Sequence, residues 1–261
     1  MLTNKFKINY SIGAVANGIK TDTFTFFLLF FYSNIIGLNP ALAGSAIFIA
    51  LCVDAVTDPL MGTISDRTNS SYGRRHPFMM ISFIPMSLGY IFLFAPRQDW
   101  DMSQSDLFIW MTIFTVITRI GMTLFDIPHR AFGGEVTKNY KERTILMSWR
   151  EMFGWVAGLS NAFLGYGVFF ASTSEYPQGQ LNPDAWFPFA VTGAIFMIVS
   201  VLYSSLSTKD EIKSLSKWSG SISLLDIVNE LKIAIGNKSF LIFFFGNLFL
   251  SLAWGLANTC L

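Results

Sequence analysis

Reactive side chains are scarce in this sequence. Its 261 residues include only 2 Cys and 2 His, and no HExxH, GxSxG or clustered Cys/His pattern occurs. A metalloenzyme or a nucleophilic hydrolase therefore lacks its machinery, and no cofactor is expected. Cys52 and Cys260 both fall in apolar stretches, which suits two reduced, buried thiols better than a disulfide or a metal site. His76 and His129 stand near the ends of apolar segments, too far apart for a metal centre, and are expected to be solvated or capping. Charge is thin as well. Charged residues make up 13% of the chain and the formal net charge is +1, a balance that offers nothing to nucleic acid.

What is abundant is apolar. Hydrophobic residues account for 52% of the chain, with 27 Phe and 7 Trp, and mean hydropathy is +0.47. Lipid is the solvent such a composition fits. A helix needs about 20 predominantly apolar residues to cross a bilayer. Seven segments qualify: 8–36, 41–65, 77–96, 105–133, 145–172, 186–207 and 239–261. The expected fold class is an all-α membrane protein. The start MLTNKFK precedes an apolar run too long for a cleaved leader, so 8–36 reads as an uncleaved first span. Most of the 18 Lys and Arg lie at the N-terminus and in alternate loops, with Arg97 alone on the opposite side. That asymmetry predicts a cytoplasmic N-terminus in a multi-pass plasma (inner) membrane protein.

Three regions follow: a six-helix bundle over 1–207, a cytoplasmic connector over 208–238, and a first helix of a second bundle over 239–261. In the connector, Leu224, Val228, Leu231 and Ile235 fall at helical spacing, the pattern of an interfacial amphipathic helix. The last residues stop inside the seventh apolar run, and the expectation is of a truncated chain. The Phe-rich run 24–31 reads as lipid-facing filler.

An ionisable group at the centre of a spanning helix costs on the order of 3 kcal/mol even on lenient scales, so each one is a functional candidate. Asp54 and Asp58 in CVDAVTDPLMG are four apart, on one face and one turn from each other. Their charges repel, so a bound cation, a proton or a basic partner has to relieve them. Na⁺ between Asp54 and Asp58 is one candidate. In antiparallel helices, residues equidistant from a turn lie level: Lys20 and Asp54 are equidistant from Gly37, and Asp126 and Arg150 from Lys138. One charged layer of Lys20, Asp54, Asp58, Asp126 and Arg150 is predicted, with Arg119 two turns from Asp126 on the same face. Asp22, on another face from Lys20, is expected to point into an aqueous cavity. In the loop GTISDRTNSSYGRRHPF, two readings stay open. One is a positive-inside anchor; the other is a cytoplasmic gate of Asp66, Arg67, Gly73, Arg74 and Arg75 that holds one state of the bundle closed.

The segments YSIGAVANG, DAVTDPLMGTISDRTNSSYGRRHPF, FDIPHRAFGGE, YKERT and SWREMFGWVAG together resemble the glycoside-pentoside-hexuronide cation symporters, the melibiose permease-like group of the major facilitator superfamily, and their lysolipid-carrying animal relatives. The resemblance implies two six-helix bundles with a site between them, of which this sequence covers the first bundle and one further helix. It implies that Asp54 and Asp58 are coupling-cation carboxylates, joined by Thr57, where that group carries asparagine, and by Thr123. It also implies that Asp126 and Arg150 grip solute hydroxyls. Gly18 and Arg130 depart from the group's sugar site and Lys20 is an addition; because Lys20, Arg119 and Arg150 offer positive charge, the expected solute shifts from a galactoside toward an acidic sugar, with Arg130 kept among the expected solute-binding residues. Lys20 could also serve as a tethered cation. The expected partners are a glycoside, pentoside or uronide and membrane lipid, with a lysolipid-like solute and a non-transporting half-protein as alternatives.

Overall fold

The structure is a computed structural model and describes residues 2–68, 70–214, 236–242, 245–246 and 249–250. The chain divides into two units, Met1–Trp218 and Ser219–Leu261. In the second, the described residues 238–242 are helical. The expected amphipathic helix and most of the expected seventh span lie outside the described residues.

The first unit is all helix, with no strand among its described residues. It opens with a helical run broken into α1 (Asn4–Ile12) and α2 (Ala14–Asp22), which meet at Gly13, then a π-helical turn at Thr23–Phe27, α3 (Leu28–Phe30) and a second π-helical turn at Phe31–Ile36. Gly37, at φ +85°, ends the run in the left-handed conformation that only glycine adopts without strain. Next come α4 (Pro40–Arg67), α5 (His76–Ile81), α6 (Phe83–Leu93), α7 (Gln104–Glu135), α8 (Tyr140–Leu164) and α9 (Trp186–Ser207). Local chemistry sets the starts. The Asn39 side chain accepts from Ala41 N ahead of Pro40, Ser103 and Asp106 form a reciprocal capping box, and Asn139 accepts from Lys141 N and Glu142 N.

Among the described residues, five helical segments are long and apolar enough to cross a membrane: Pro40–Arg67, His76–Leu93, Gln104–Glu135, Tyr140–Phe169 and Pro183–Glu211. They match five of the seven expected spans closely. The first expected span is helical throughout, but its breaks leave no uninterrupted α-helix of spanning length.

Within the bundle, α2 packs on α8 and α9, while α4 and α6 pack on α7, and α6 also meets α9. Small residues make the α2–α8 crossing close. A Cβ placed on Gly18 would lie 2.0 Å from the Gly154 carbonyl oxygen, and one on Gly158 would lie 3.3 Å from the Gly18 carbonyl oxygen. This is a small-residue stripe of the kind that brings helix backbones together in lipid. Part of the Phe-rich run is core rather than lipid filler. Phe27 and Phe31 are buried against Phe94, Phe170, Trp186 and Phe189, while Phe26 faces outward. Cys52 is exposed on α4, against the expectation of a buried thiol, because the apolar face it lies on carries no protein cover in this unit. Phe48, Trp155 and Phe163 are similarly exposed, at no penalty where lipid tails are the solvent.

Candidate functional site

The charges that sequence places inside spans converge. A cavity of about 80 Å³ is walled by Asn17 and Lys20 of α2, Asp54 and Asp58 of α4, and Arg119, Met122, Thr123, Asp126 and Ile127 of α7. Helical spacing explains the grouping: 54 and 58, and 119, 123 and 126, each recur about one turn apart and share a face. A proline sits beside each group, Pro59 after Asp58 and Pro128 two residues after Asp126. Each removes one helix N–H donor where the chemistry lies.

The four cavity charges of α4 and α7 are partnered in an ordered way. Arg119 Nη1 donates to Asp54 Oδ2 in a direct ion pair, with the two side chains only 12% and 22% exposed. Thr123 Oγ1 donates to Asp58 Oδ1 at 2.6 Å, and Asp58 has no ion-pair partner among the described residues. Asp126 receives two arginines: Arg150 Nη2 on Oδ1, and Arg130 Nε on Oδ2 at 2.7 Å. Arg150 reaches further to Glu151 Oε1 at 2.7 Å, where Arg130 Nη1 also approaches at 3.5 Å. Lys20 forms no ion pair among the described residues; its Nζ lies 5.9 Å from the centre of the Phe24 ring, which Arg119 also covers at 5.4 Å. Arg119, rather than Lys20, is thus the basic side chain in direct contact with Asp54. Thr57 lies off the cavity wall, its hydroxyl buried without a hydrogen-bond partner; the same holds for Asp54 Oδ1 and Arg119 Nε.

Both histidines overturn the expectation of a solvated or capping role, because neighbouring helices cover the ends on which they stand. His129 is fully buried between the Tyr10 and Phe125 rings, with centroids at 4.2 and 4.8 Å. Tyr10 Oη donates to the His129 carbonyl at 3.0 Å, and His129 Nε2 lies 3.0 Å from the Tyr10 carbonyl, which can only accept. Nε2 therefore carries the proton, and Nδ1 is left to accept from Arg150 Nε at 3.4 Å. His76 is buried edge-on to Phe132, with Nε2 3.2 Å from Thr208 Oγ1. Asp22 does not point into an aqueous cavity. It is buried and accepts from Asn161 Nδ2 at 3.0 Å, beside a Thr23–Tyr90 hydroxyl pair at 2.7 Å that ties the π-helical turn to α6. The reason is the same glycine-lined closeness of α2 and α8.

At the end of α4, Arg75 Nε donates to Asp66 Oδ1 at 3.1 Å and its Nη2 to Glu135 Oε1 at 3.0 Å. Arg74 Nη2 spans both oxygens of Glu135 at 2.8 and 3.0 Å. Gly73, at φ +79°, makes the turn that delivers the two arginines, and Arg67 closes α4. Glu135, Glu151 and Asn17 were missed in sequence. Glu135 ends α7 within FDIPHRAFGGE, and counting across the hairpin at Lys138 sets it level with Lys141 rather than with Arg74 or Arg75, so no sequence signal pointed to it.

A bundle of apolar helices closed around a compensated network of charges defines a multi-pass membrane protein with a polar centre. The sequence profile of the MFS/sugar transport protein family matches residues 9–261, and the chain belongs to that family. Among similar proteins, an uncharacterized symporter of Synechocystis is 32% identical over 210 residues, covering 79% of this chain and 38% of that one. A candidate glycoside/cation symporter of Escherichia coli is 27% identical over 237 residues, 91% of this chain and 49% of that one. A sodium-dependent lysophosphatidylcholine symporter of Danio rerio is 30% identical over 163 residues, 60% of this chain and 30% of that one. The chain spans half or less of the length of these relatives.

Proposed function

We propose that this chain supplies the N-terminal half of a secondary active transporter that carries a sugar or sugar-acid-like solute together with a cation by alternating access. The observation that carries this reading is one cavity that Asp54, Asp58 and Thr123 line together with Lys20, Arg119 and Asp126. Carboxylate and hydroxyl oxygens suit a proton or a hard cation. In the same cavity, Asp126, paired with Arg150, offers the acceptors and donors that polyhydroxyl solutes use, and Lys20 adds a positive charge for an acidic group. The interrupted helical run 4–36 and the segment 239–261 complete seven spans, with the connector 208–238 between the bundle of 1–207 and a second bundle. The N-terminus is cytoplasmic, the membrane is the cell's inner (plasma) membrane, and the cluster of Asp66, Arg67, Gly73, Arg74, Arg75 and Glu135 is the gate on that side.

A second reading has one observation in its favour. An apolar cavity of about 280 Å³, lined by Val15, Ile19, Phe153, Val156, Leu164 and Phe196 with Asn161 at its edge, suits the chain of a lysolipid-like amphiphile.

Uptake driven by an imposed cation gradient tests the first reading in the protein as the cell makes it. Accumulation of the solute should be lost in Asp58→Asn; accumulation that persists with both Asp54 and Asp58 neutralised would sink it. Supplying acidic sugars, neutral glycosides and a lysolipid in parallel separates the two solute classes, and uptake of the lysolipid alone would replace the first reading with the second.

A further inference from the structure

Two carboxylates one turn apart need positive charge close by, and in this chain one covalently attached cation already answers them. Arg119 pairs directly with Asp54 through Nη1 and Oδ2, both side chains being mostly buried. A guanidinium keeps its charge under all physiological conditions. The Phe24 ring lies under it at 5.4 Å, a face that favours cations and holds Arg119 in place. Asp58, one turn on, is answered by the Thr123 hydroxyl at 2.6 Å. Asp126, the remaining acid of the cavity, is taken by Arg130 and Arg150. Lys20 adds a second positive charge to the same wall.

A sodium ion bridging Asp54 and Asp58 would have to share Asp54 with a guanidinium at contact distance. Like charges so placed repel strongly in a partly buried site. We infer that Arg119 is the residue that determines the coupling cation: it holds the Asp54 half of the carboxylate pair and thereby excludes Na⁺ from it. The relative from Danio rerio whose name specifies sodium dependence would then differ from this protein at the cation step. The inference rests on the proposed reading of Asp54 and Asp58 as coupling carboxylates.

Sodium binding, read apart from transport, tests it. The purified full-length protein is heated in detergent with NaCl or with choline chloride at equal ionic strength, as wild type, Arg119→Gln, Arg119→Lys, and Arg119→Gln combined with Asp54→Asn. Ligand binding to the folded state alone raises the midpoint of unfolding. Wild type and Arg119→Lys should show no Na⁺-specific shift. Arg119→Gln should gain a saturable one, corresponding to Na⁺ binding at least about tenfold tighter than in wild type, and the added Asp54→Asn should abolish it. Arg119→Ala serves as the opened site if Arg119→Gln does not fold. A Na⁺-specific shift in wild type equal to that of the opened variant overturns the inference, as does an opened, folded variant with no shift. Either result leaves the uptake test of the carboxylates untouched, so the two failures are distinguishable.

Discussion

At the scale of single residues, Gly18 shows how one side chain's absence sets both packing and chemistry. The α2–α8 crossing brings the Gly154 carbonyl so near that a Cβ at position 18 would lie 2.0 Å from it. No aspartate can stand there without parting the helices. Gly18→Ala should destabilise the protein by about 1–3 kcal/mol through overpacking, read as a lowered unfolding temperature in detergent. Gly44→Ala is the control, since a Cβ there meets nothing. An unchanged midpoint for Gly18→Ala would show that the helices are not held this close. Arg119, Asp54 and Asp58 were each visible in sequence as charges where lipid composition forbids them. Which arginine or lysine would pair with which acid was not visible, because helix rotation and lateral order, rather than depth, decide partners.

Between elements, the proposed gate is a charge cluster that ties the end of α4 to the start of α5 and the end of α7. Arg75 touches both Asp66 and Glu135, and Arg74 doubles the hold on Glu135. Arg75 is 5% exposed, but its two acids are 48% and 34% exposed. Solvent screening therefore brings the value of the cluster to about 1–2 kcal/mol rather than the 3–5 of a fully buried pair. Arg75→Gln should lower stability by about that amount and free the ends of α4 and α7 to separate. The check is thiol labelling of a cysteine placed at Gly134, where a side chain meets nothing within 4 Å: labelling should be faster in Arg75→Gln than in the parent. Equal labelling rates would leave the cluster as an anchor only. The sequence pattern already offered Asp66, Arg67, Gly73, Arg74 and Arg75 for this cluster. Glu135 completes it only because α4 and α7 pack side by side.

For the molecule as a whole, the bundle has two kinds of surface. One is the buried aromatic centre around Trp186; the other is the apolar exterior of α4 and α8, where Phe48, Trp155 and Phe163 stand uncovered. The basic residues of the N-terminus and alternate loops argue for a cytoplasmic start. A cysteine introduced at Asn4 should accordingly be labelled by an impermeant thiol reagent only after cells are opened, whereas one at Gln98 should be labelled in intact cells; the reverse pattern would invert the topology. Composition, the positions of five spans and which charges fall inside apolar helices were legible in sequence alone, because transfer from water to lipid is a local, additive quantity that is read along each segment by itself. The partners of those charges, the burial of His129 and His76, and the pairing of Arg119 with Asp54 were decided only by tertiary structure. Each of these depends on which helix faces meet, those of α4 with α7 and of α2 with α8 among them, and no count along one chain segment carries that information.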